Sequence, residues 1–246
     1  MIKLHQFAYS HFNEKVRWAL DYKGIAHDRE TYLPGPHMPA IKRLSGQQQT
    51  PVLEMDSDII AGSAEIIDAL EQRYPEPALY PQDASLRQDA LDVQTHFDAE
   101  VGPAIRTVVF SELVKNGAYL CHMFGGSKRW LKRVAYRATF PLAKPLIAKG
   151  NGVDDPANVA RCLEVTDRVL DEVAHRVEAT GFMVGDAFSI ADLTVAALLA
   201  PIANVEHPDM KRPQPVPESY AKLVNGYSNH PAIAWVKQMY ADHRSS

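Results

Sequence analysis

Residues 2–20 have the sequence IKLHQFAYSHFNEKVRWAL, and this stretch predicts a strand, a turn and a helix in direct succession. Residues Ile2 to Phe7 suit a short strand. From Asn13 to Gly24, apolar residues recur with the spacing of a helix, with charged residues between them, and a glycine suits the helix end. Ser10 therefore falls in the turn between the strand and the N-terminus of the helix.

Strands and helices continue to alternate up to about position 75. The expected elements are a strand at residues 27–32, a short helix at 40–44, a hairpin of 51–55 with 58–60, and a helix that begins at Ser63 and stops near Tyr74. The predicted order is β-α-β-α-β-β-α, which is typical of a small α/β domain.

The pattern changes to long helical stretches after the proline-containing segment from Pro75 to Ala84, which we expect to be the domain linker. Within the second half, Ser189 and Asp192 have the spacing of a capping box at a helix N-terminus. The run that follows, up to Ala200, is almost wholly apolar, so this helix is expected to lie in the core of an all-helical domain.

The composition excludes several classes of protein. The 246 residues include 26 Lys and Arg against 30 Asp and Glu, a net charge of −4, so no overall positive charge attracts nucleic acid. No apolar run approaches a membrane span, and the N-terminus lacks the features of a signal peptide. Cys121 and Cys162 form no recognisable redox or metal motif, and we expect a cytoplasmic protein without a metal.

Several motifs in a fixed order resemble those of the cytosolic glutathione transferase family, in its serine-type, bacterial-like form. They are Ser10 to Leu20, Gln49 to Leu53, Ser63, the Ser189 to Asp192 box and Asn229 to Ala232. The resemblance implies a thioredoxin-like α/β domain with a mixed four-stranded sheet, followed by an all-α domain. We place the glutathione-binding domain at 1–80 and the helical domain, which supplies the electrophile pocket, at 85–246.

The resemblance also implies which residues bind glutathione. Ser10 matches the residue that activates the thiol, although a serine there can simply cap the helix, and Tyr9 and Asn13 are alternative donors. Pro51 matches a proline whose cis peptide bond exposes the backbone of Thr50 to the ligand.

Three further positions match the ends of the tripeptide. Gln49 matches a contact to its glycine end and Ser63 the contact to its γ-glutamyl carboxylate, while His37 is a candidate for the glycine carboxylate or else a solvated side chain. Gly62 stands where many members have an acidic residue that contacts the ligand ammonium. That contact has to come from another residue or from a partner subunit.

The electrophile pocket is less well defined by the sequence. Phe12 follows the active-site turn, and Arg106 and Phe110 share a helical face one turn apart, so these three are candidates. A basic stretch also lies in this half of the chain. It is expected to be a solvated helix face, or else an entrance that attracts an anionic, hydrophobic substrate or a membrane surface. It comprises Lys128, Arg129, Lys132, Arg133, Arg137, Lys144 and Lys149.

These observations favour a glutathione transferase for detoxification, a homodimer that uses glutathione as co-substrate and a small hydrophobic electrophile as its second substrate. A glutathione-dependent isomerase or dehalogenase uses the same thiolate. The alternative is a non-catalytic binding or interaction protein with the same fold, because a fold does not establish a function.

Overall fold

A computed structural model gives the architecture and describes residues 1–125, 138, 140, 144, 145 and 147–244. The first half contains four strands and three helices in the predicted order. They are β1 (Ile2–Gln6), α1 (His11–Tyr22), β2 (Asp28–Thr31), α2 (Met38–Ser45), β3 (Val52–Met55), β4 (Asp58–Ala61) and α3 (Ser63–Arg73).

The four strands form one mixed sheet in the order β2-β1-β3-β4. β1 is parallel to β2 and antiparallel to β3, with Leu4 opposite Leu53, and β3 pairs with β4 as an antiparallel hairpin. The parallel connection between β1 and β2 contains α1, as a crossover requires. Leu4 and Leu53 are fully buried, so the central strands carry the core of this half. The predicted thioredoxin-like α/β fold is confirmed.

The regular secondary structure of the second half is entirely helical among the described residues. It comprises α4 (Ala84–His96), a π-helical turn (Phe97–Val101), α5 (Gly102–Leu113), α6 (Gly117–Gly125), α7 (Pro156–Val177), α8 (Ile190–Ala203), α9 (Glu218–Tyr227) and α10 (Pro231–His243). The prediction of an all-α second half is confirmed, whereas the exact domain limits of 1–80 and 85–246 stay a prediction.

Helix α8 lies at the centre of the molecule, and every one of its residues is buried. Its N-terminus has the predicted capping box: Ser189 accepts a hydrogen bond from the backbone of the first turn, and Asp192 accepts one from the backbone N–H of Ser189 at 2.9 Å. α8 packs against α1 of the sheet domain, and against α4, α5 and α10. This helix therefore supports the helix on which Ser10 is placed.

Two sequence predictions concern the surface of the protein: the one about membrane-spanning segments and the one about the basic stretch. No helix among the described residues is long and apolar enough to span a bilayer. The basic stretch lies largely outside the described residues. Its members Lys144 and Lys149 are described, and both are exposed.

Candidate functional site

The turn between β1 and α1 places Ser10 at the edge of the sheet. Tyr9, the preceding residue, has a positive φ of 61°, and Ser10 returns to an extended conformation as the residue before the helix. The backbone oxygen of Ser10 accepts a hydrogen bond from Glu14 N at 2.8 Å, but its side chain forms no capping hydrogen bond. The hydroxyl is therefore not used by the helix that it precedes.

Arg17 holds this turn from inside the protein. It donates to Gln6 Oε1 at 2.8 Å, to Phe7 O at 3.3 Å and to Ser10 O at 3.4 Å. Its charge is balanced by Glu14 at 2.8 Å, and both side chains are buried. The sequence alone does not show that these charged residues are buried, because their spacing resembles that of a solvated helix face.

The segment that contains Thr50 and Pro51 lies beside the first turn of α1. The Thr50–Pro51 peptide bond is cis, and Asn13 Nδ2 donates to Thr50 Oγ1 at 3.2 Å. Pro51 O accepts a hydrogen bond from Gly62 N at 3.2 Å, which links this segment to the start of α3. The segments that contain Ser10, Thr50 and Ser63 are thus linked by hydrogen bonds between neighbouring residues. Asn13 is completely buried, so its side chain is not exposed to a ligand.

Ser63 is the first residue of α3, and a carboxylate lies next to it. Gly62 has φ 109°, a conformation that side chains rarely adopt. A Cβ atom at position 62 would collide with Oε2 of Glu65, because the Glu65 side chain folds back over the glycine. Glu65 therefore brings a negative charge to the place where the resemblance had indicated that one was missing.

His37 has structural contacts on both ring nitrogens. Gly35 N donates to Nδ1 at 3.1 Å, and Nε2 lies 2.9 Å from Gln48 O, which makes the ring a donor at that nitrogen. Burial lowers the pKa of His37, so the ring is neutral near pH 7. These contacts leave neither ring nitrogen free for a glycine carboxylate. His37 instead holds the segment that leads to the exposed Gln49.

The candidate electrophile side begins where α1 meets α5. A Cβ atom at Gly102 would lie 2.6 Å from Cζ of Phe12, so the ring covers the first turn of α5. His11 Nε2 lies 2.9 Å from Gly102 O. Arg106 and Phe110 follow at intervals of one helical turn, and both are partly buried. The contact of Phe12 with α5 thus brings it to the helix that carries the other two candidates.

Three further residues near this side were not predicted as site residues from the sequence: His11, Tyr119 and Arg212. Burial, helped by the charges of Arg106 and Arg212, lowers the pKa of His11 to about 3. Tyr119 donates to Pro213 O at 3.0 Å, beside Arg212. No motif could have indicated Arg212, because its charge affects the pKa of Tyr9 and His11 only through the fold, from about 200 positions further along the chain.

A histidine and two carboxylates also come together on the other side of α1. Glu14, His207 and Asp209 offer ligand atoms within 4.8 Å of one another. Arg244 binds Glu14 at 2.9 Å and Asp209 at 2.9 Å, and Arg17 contacts both carboxylates. Burial alone would raise the pKa of Asp209, but the neighbouring arginines lower it. This group is an ion-pair network between the two halves of the chain.

The comparison with protein families supports the interpretation of the first domain. Residues 4–78 match the family described as glutathione S-transferase, N-terminal domain. A maleylpyruvate isomerase from Ralstonia sp is 35% identical over 94 residues, which cover 35% of this chain and 42% of that protein.

Two longer matches extend over both domains. Glutathione S-transferase TCHQD from Arabidopsis thaliana is 27% identical over 83% of this chain and 78% of its own length. A glutathione S-transferase from Methylobacterium radiotolerans, solved in complex with glutathione sulfonate, has a TM-score of 0.63 and 19% identity, with 99% of this chain and 91% of that one covered. Residues 4–78 thus match the N-terminal domain of the glutathione S-transferase family, and the chain as a whole is similar to members of that family and shares their fold.

Proposed function

We propose that the protein is a glutathione transferase in which Ser10 activates the glutathione thiol for conjugation to, or substitution on, a small hydrophobic electrophile. The observation that carries this proposal is the position of the Ser10 hydroxyl. It lies at the N-terminus of α1, in a turn held by Arg17, and the helix does not use it as a cap.

The chemistry requires a thiolate. A free thiol has a pKa of about 8.5, so only a few per cent is ionised at neutral pH. A decrease of two pKa units corresponds to about 2.7 kcal/mol. A hydroxyl hydrogen bond to sulfur, together with the positive end of α1, can supply stabilisation of this order. Tyr9 is the remaining alternative donor, since burial raises the pKa of its phenol and keeps it protonated.

Around this sulfur position, the other residues would bind the ends of glutathione. We assign the backbone of Thr50, exposed by the cis bond to Pro51, to the ligand peptide, and the exposed Gln49 to its glycine end. Ser63, at the N-terminus of α3, would bind the γ-glutamyl carboxylate. The Glu65 carboxylate beside Gly62 is suitably charged for the γ-glutamyl ammonium. His37 would act only indirectly, by holding the segment before Gln49.

Phe12, Arg106 and Phe110 would contact the second substrate. The thiolate would attack its electrophilic carbon, and the bond to the leaving group would break in a substitution. An isomerase that uses the same thiolate is a second candidate, since one relative is named maleylpyruvate isomerase.

We further propose that the protein is a cytoplasmic homodimer with a role in detoxification. We also propose that it uses no metal, because the carboxylates of the histidine-containing group are already bound by arginines.

The Ser10→Ala variant tests the proposal. We expect it to fold, to raise the pKa of bound glutathione and to lower turnover near neutral pH by tenfold or more. The pKa would be measured from the ultraviolet absorbance of the bound thiolate as a function of pH. Ser10→Thr, which keeps a hydroxyl, should retain part of the effect, and Ser57→Ala in the exposed β3–β4 turn is the matched control.

Two outcomes would contradict it. An unchanged titration in Ser10→Ala, with activity retained, would transfer the role to Tyr9. Failure of the unmodified protein both to bind glutathione and to transfer it to any electrophile would favour the non-catalytic binding protein.

A further inference from the structure

Two arginines beside the proposed electrophile side lack the negative partner that buried cations normally have. Arg212 is only 5% exposed, and its Nη1 donates to Tyr220 Oη at 2.6 Å and to Pro201 O at 3.4 Å. Both of these acceptors are uncharged, and its Nε is buried without a hydrogen-bond partner. No carboxylate of the described residues lies within ion-pair distance of it.

Arg106 on α5 is only partly buried, but it also lacks a negative partner. Its Nε is also buried without a hydrogen-bond partner, and no ion pair to it occurs in the part of the chain that the structure describes. Burial lowers the pKa of Arg106, and no neighbouring charge opposes this shift. A buried cation without a counter-charge is costly to a folded protein.

The other buried cations show that such pairing is the rule in this molecule. Apart from Arg212, every buried lysine or arginine among the described residues forms an ion pair: Lys15 with Asp98, Arg17 with Glu14, Lys23 with Glu71, and Arg244 with Glu14 and Asp21. The undescribed residues between 126 and 146 include no Asp or Glu, so that segment has no acidic side chain to contribute.

The hydrogen bonds place the two arginines on the same side of Ser10. His11 Nε2 lies 2.9 Å from Gly102 O, one helical turn before Arg106. Arg17 Nη2 donates to Ser10 O at 3.4 Å and to Met210 Sδ at 3.6 Å, two residues before Arg212.

The charges of both arginines help to lower the pKa of His11, and the charge of Arg212 opposes the rise in the pKa of Tyr9 and Tyr119. None of these neighbours supplies a negative charge near pH 7. His11 is neutral, burial raises the pKa of Tyr119 to about 12, and burial raises that of Tyr9 as well.

We propose that Arg106 and Arg212 form an anion site on the electrophile side of Ser10, so that the second substrate carries a carboxylate. The guanidinium groups present planar sets of N–H donors, which suit the two oxygens of a carboxylate. Phe12 and Phe110 would contact the apolar part of the same molecule. The reaction of this substrate rests on the proposed transferase function, whereas its binding at the arginines does not.

The test compares two electrophiles that differ in one charge, 4-chloro-3-nitrobenzoate and its methyl ester. With either one, the thiolate sulfur bonds to the ring carbon and the carbon–chlorine bond breaks to release chloride, so no oxidant or reductant is needed. We expect the ratio of kcat/KM for the acid to that for the ester to fall tenfold or more in Arg212→Gln and in Arg106→Gln. The lysine variants should restore part of it.

Arg176→Gln is the matched control, because Arg176 is an exposed arginine on α7 that pairs with Glu172 at 2.9 Å. It removes the same charge from an exposed, paired position and should leave the ratio unchanged. An unchanged ratio in both site variants would overturn the proposal. So would an equal fall in Arg176→Gln. The proposal would also be overturned if the glutamine variants raised the pKa of bound glutathione but left the acid-to-ester ratio unchanged. The arginines would then stabilise the thiolate and not the second substrate.

A binding measurement separates this inference from the proposed function. Calorimetry with 3-nitrobenzoate, which has no leaving group, should show binding that weakens about tenfold in each glutamine variant, and methyl 3-nitrobenzoate should bind less tightly to the unmodified protein. Arginine-dependent binding without any transfer would leave the anion site standing and reject the transferase. Transfer to the ester without arginine-dependent binding of the acid would reject the anion site alone.

Stability provides an independent readout. Arg106→Met replaces an unpaired, partly buried charge with an apolar chain of similar length, so the melting temperature without ligand should rise or stay level. A fall of several degrees would show that the fold itself supplies a partner for Arg106, and it would overturn the proposal.

Discussion

The Asp192→Ala variant should destabilise the protein more than the loss of an ordinary helix cap. Asp192 is completely buried at the N-terminus of α8. Its Oδ1 accepts a hydrogen bond from Met183 N at 2.7 Å, and its Oδ2 accepts from Ser189 N at 2.9 Å and from Ser189 Oγ at 3.0 Å. The carboxylate therefore joins the segment before α8 to the helix as well as capping it.

The magnitude follows from the groups that the substitution leaves without a partner. A lost cap alone costs about 1 kcal/mol. Here two backbone N–H groups, those of Met183 and Ser189, would be buried without an acceptor, and each such group costs about 1–3 kcal/mol. We therefore expect the free energy of unfolding to fall by about 2–6 kcal/mol.

Urea unfolding of the full chain, followed by circular dichroism, would measure this change from the transition midpoint. Asp186→Ala is the matched control, because Asp186 is exposed in the same segment and accepts no hydrogen bond in the described structure. A loss below 0.5 kcal/mol in Asp192→Ala, by order of magnitude, would refute the reasoning. So would a complete loss of glutathione transfer with stability unchanged, since the box would then have a direct role in function.

Two other predictions concern charge. Burial raises the pKa of Asp192 from 3.8 to about 6 in spite of its hydrogen bonds, so the folded state binds this proton more tightly than the unfolded state. Its contribution to stability is then fully present below pH 3.8 and is lost as the pH rises through about 6. Asp192→Asn should remove this contribution, so the stability of the variant should fall more steeply than that of the unmodified protein as the pH is lowered from about 6 to 3.8. If the two proteins had the same dependence of stability on pH, the raised pKa of Asp192 would be contradicted. Separately, Glu65→Gln should weaken glutathione binding about tenfold, as measured by calorimetry, whereas the control Glu76→Gln should leave it unchanged. If Glu65→Gln bound glutathione as tightly as the unmodified protein, the contact between Glu65 and the ligand ammonium would be rejected.

The features that the sequence predicted correctly depend on residues that are close together in the chain. The order of the elements in the first half follows from local apolar spacing and from turns at glycine and proline. The capping box is also local, because Ser189 and Asp192 are three residues apart and contact each other through the first turn of one helix. The cis bond at Thr50–Pro51 required the family resemblance, because the bonded residues do not by themselves specify the isomer.

Burial of charge could not be predicted in the same way. The charged residues of α1 have the spacing of a solvated face, yet Glu14, Lys15 and Arg17 are almost completely buried. They are stable there because their partners come from distant segments, such as Asp98 for Lys15 and Arg244 for Glu14. Whether a charge is solvated or paired depends on which residues the fold brings near it.

The sequence by itself thus determined the fold class, the position of Ser10 before a helix and the motifs that resemble a glutathione site. The tertiary structure decided which side chains surround these positions. It placed Glu65 over Gly62, gave His37 internal partners and brought Arg212 to the neighbourhood of His11 and Arg106. The reason is physical: backbone conformation responds to neighbours in the chain, whereas the electrostatic environment of a site is the sum of charges and burial from every segment that folds around it.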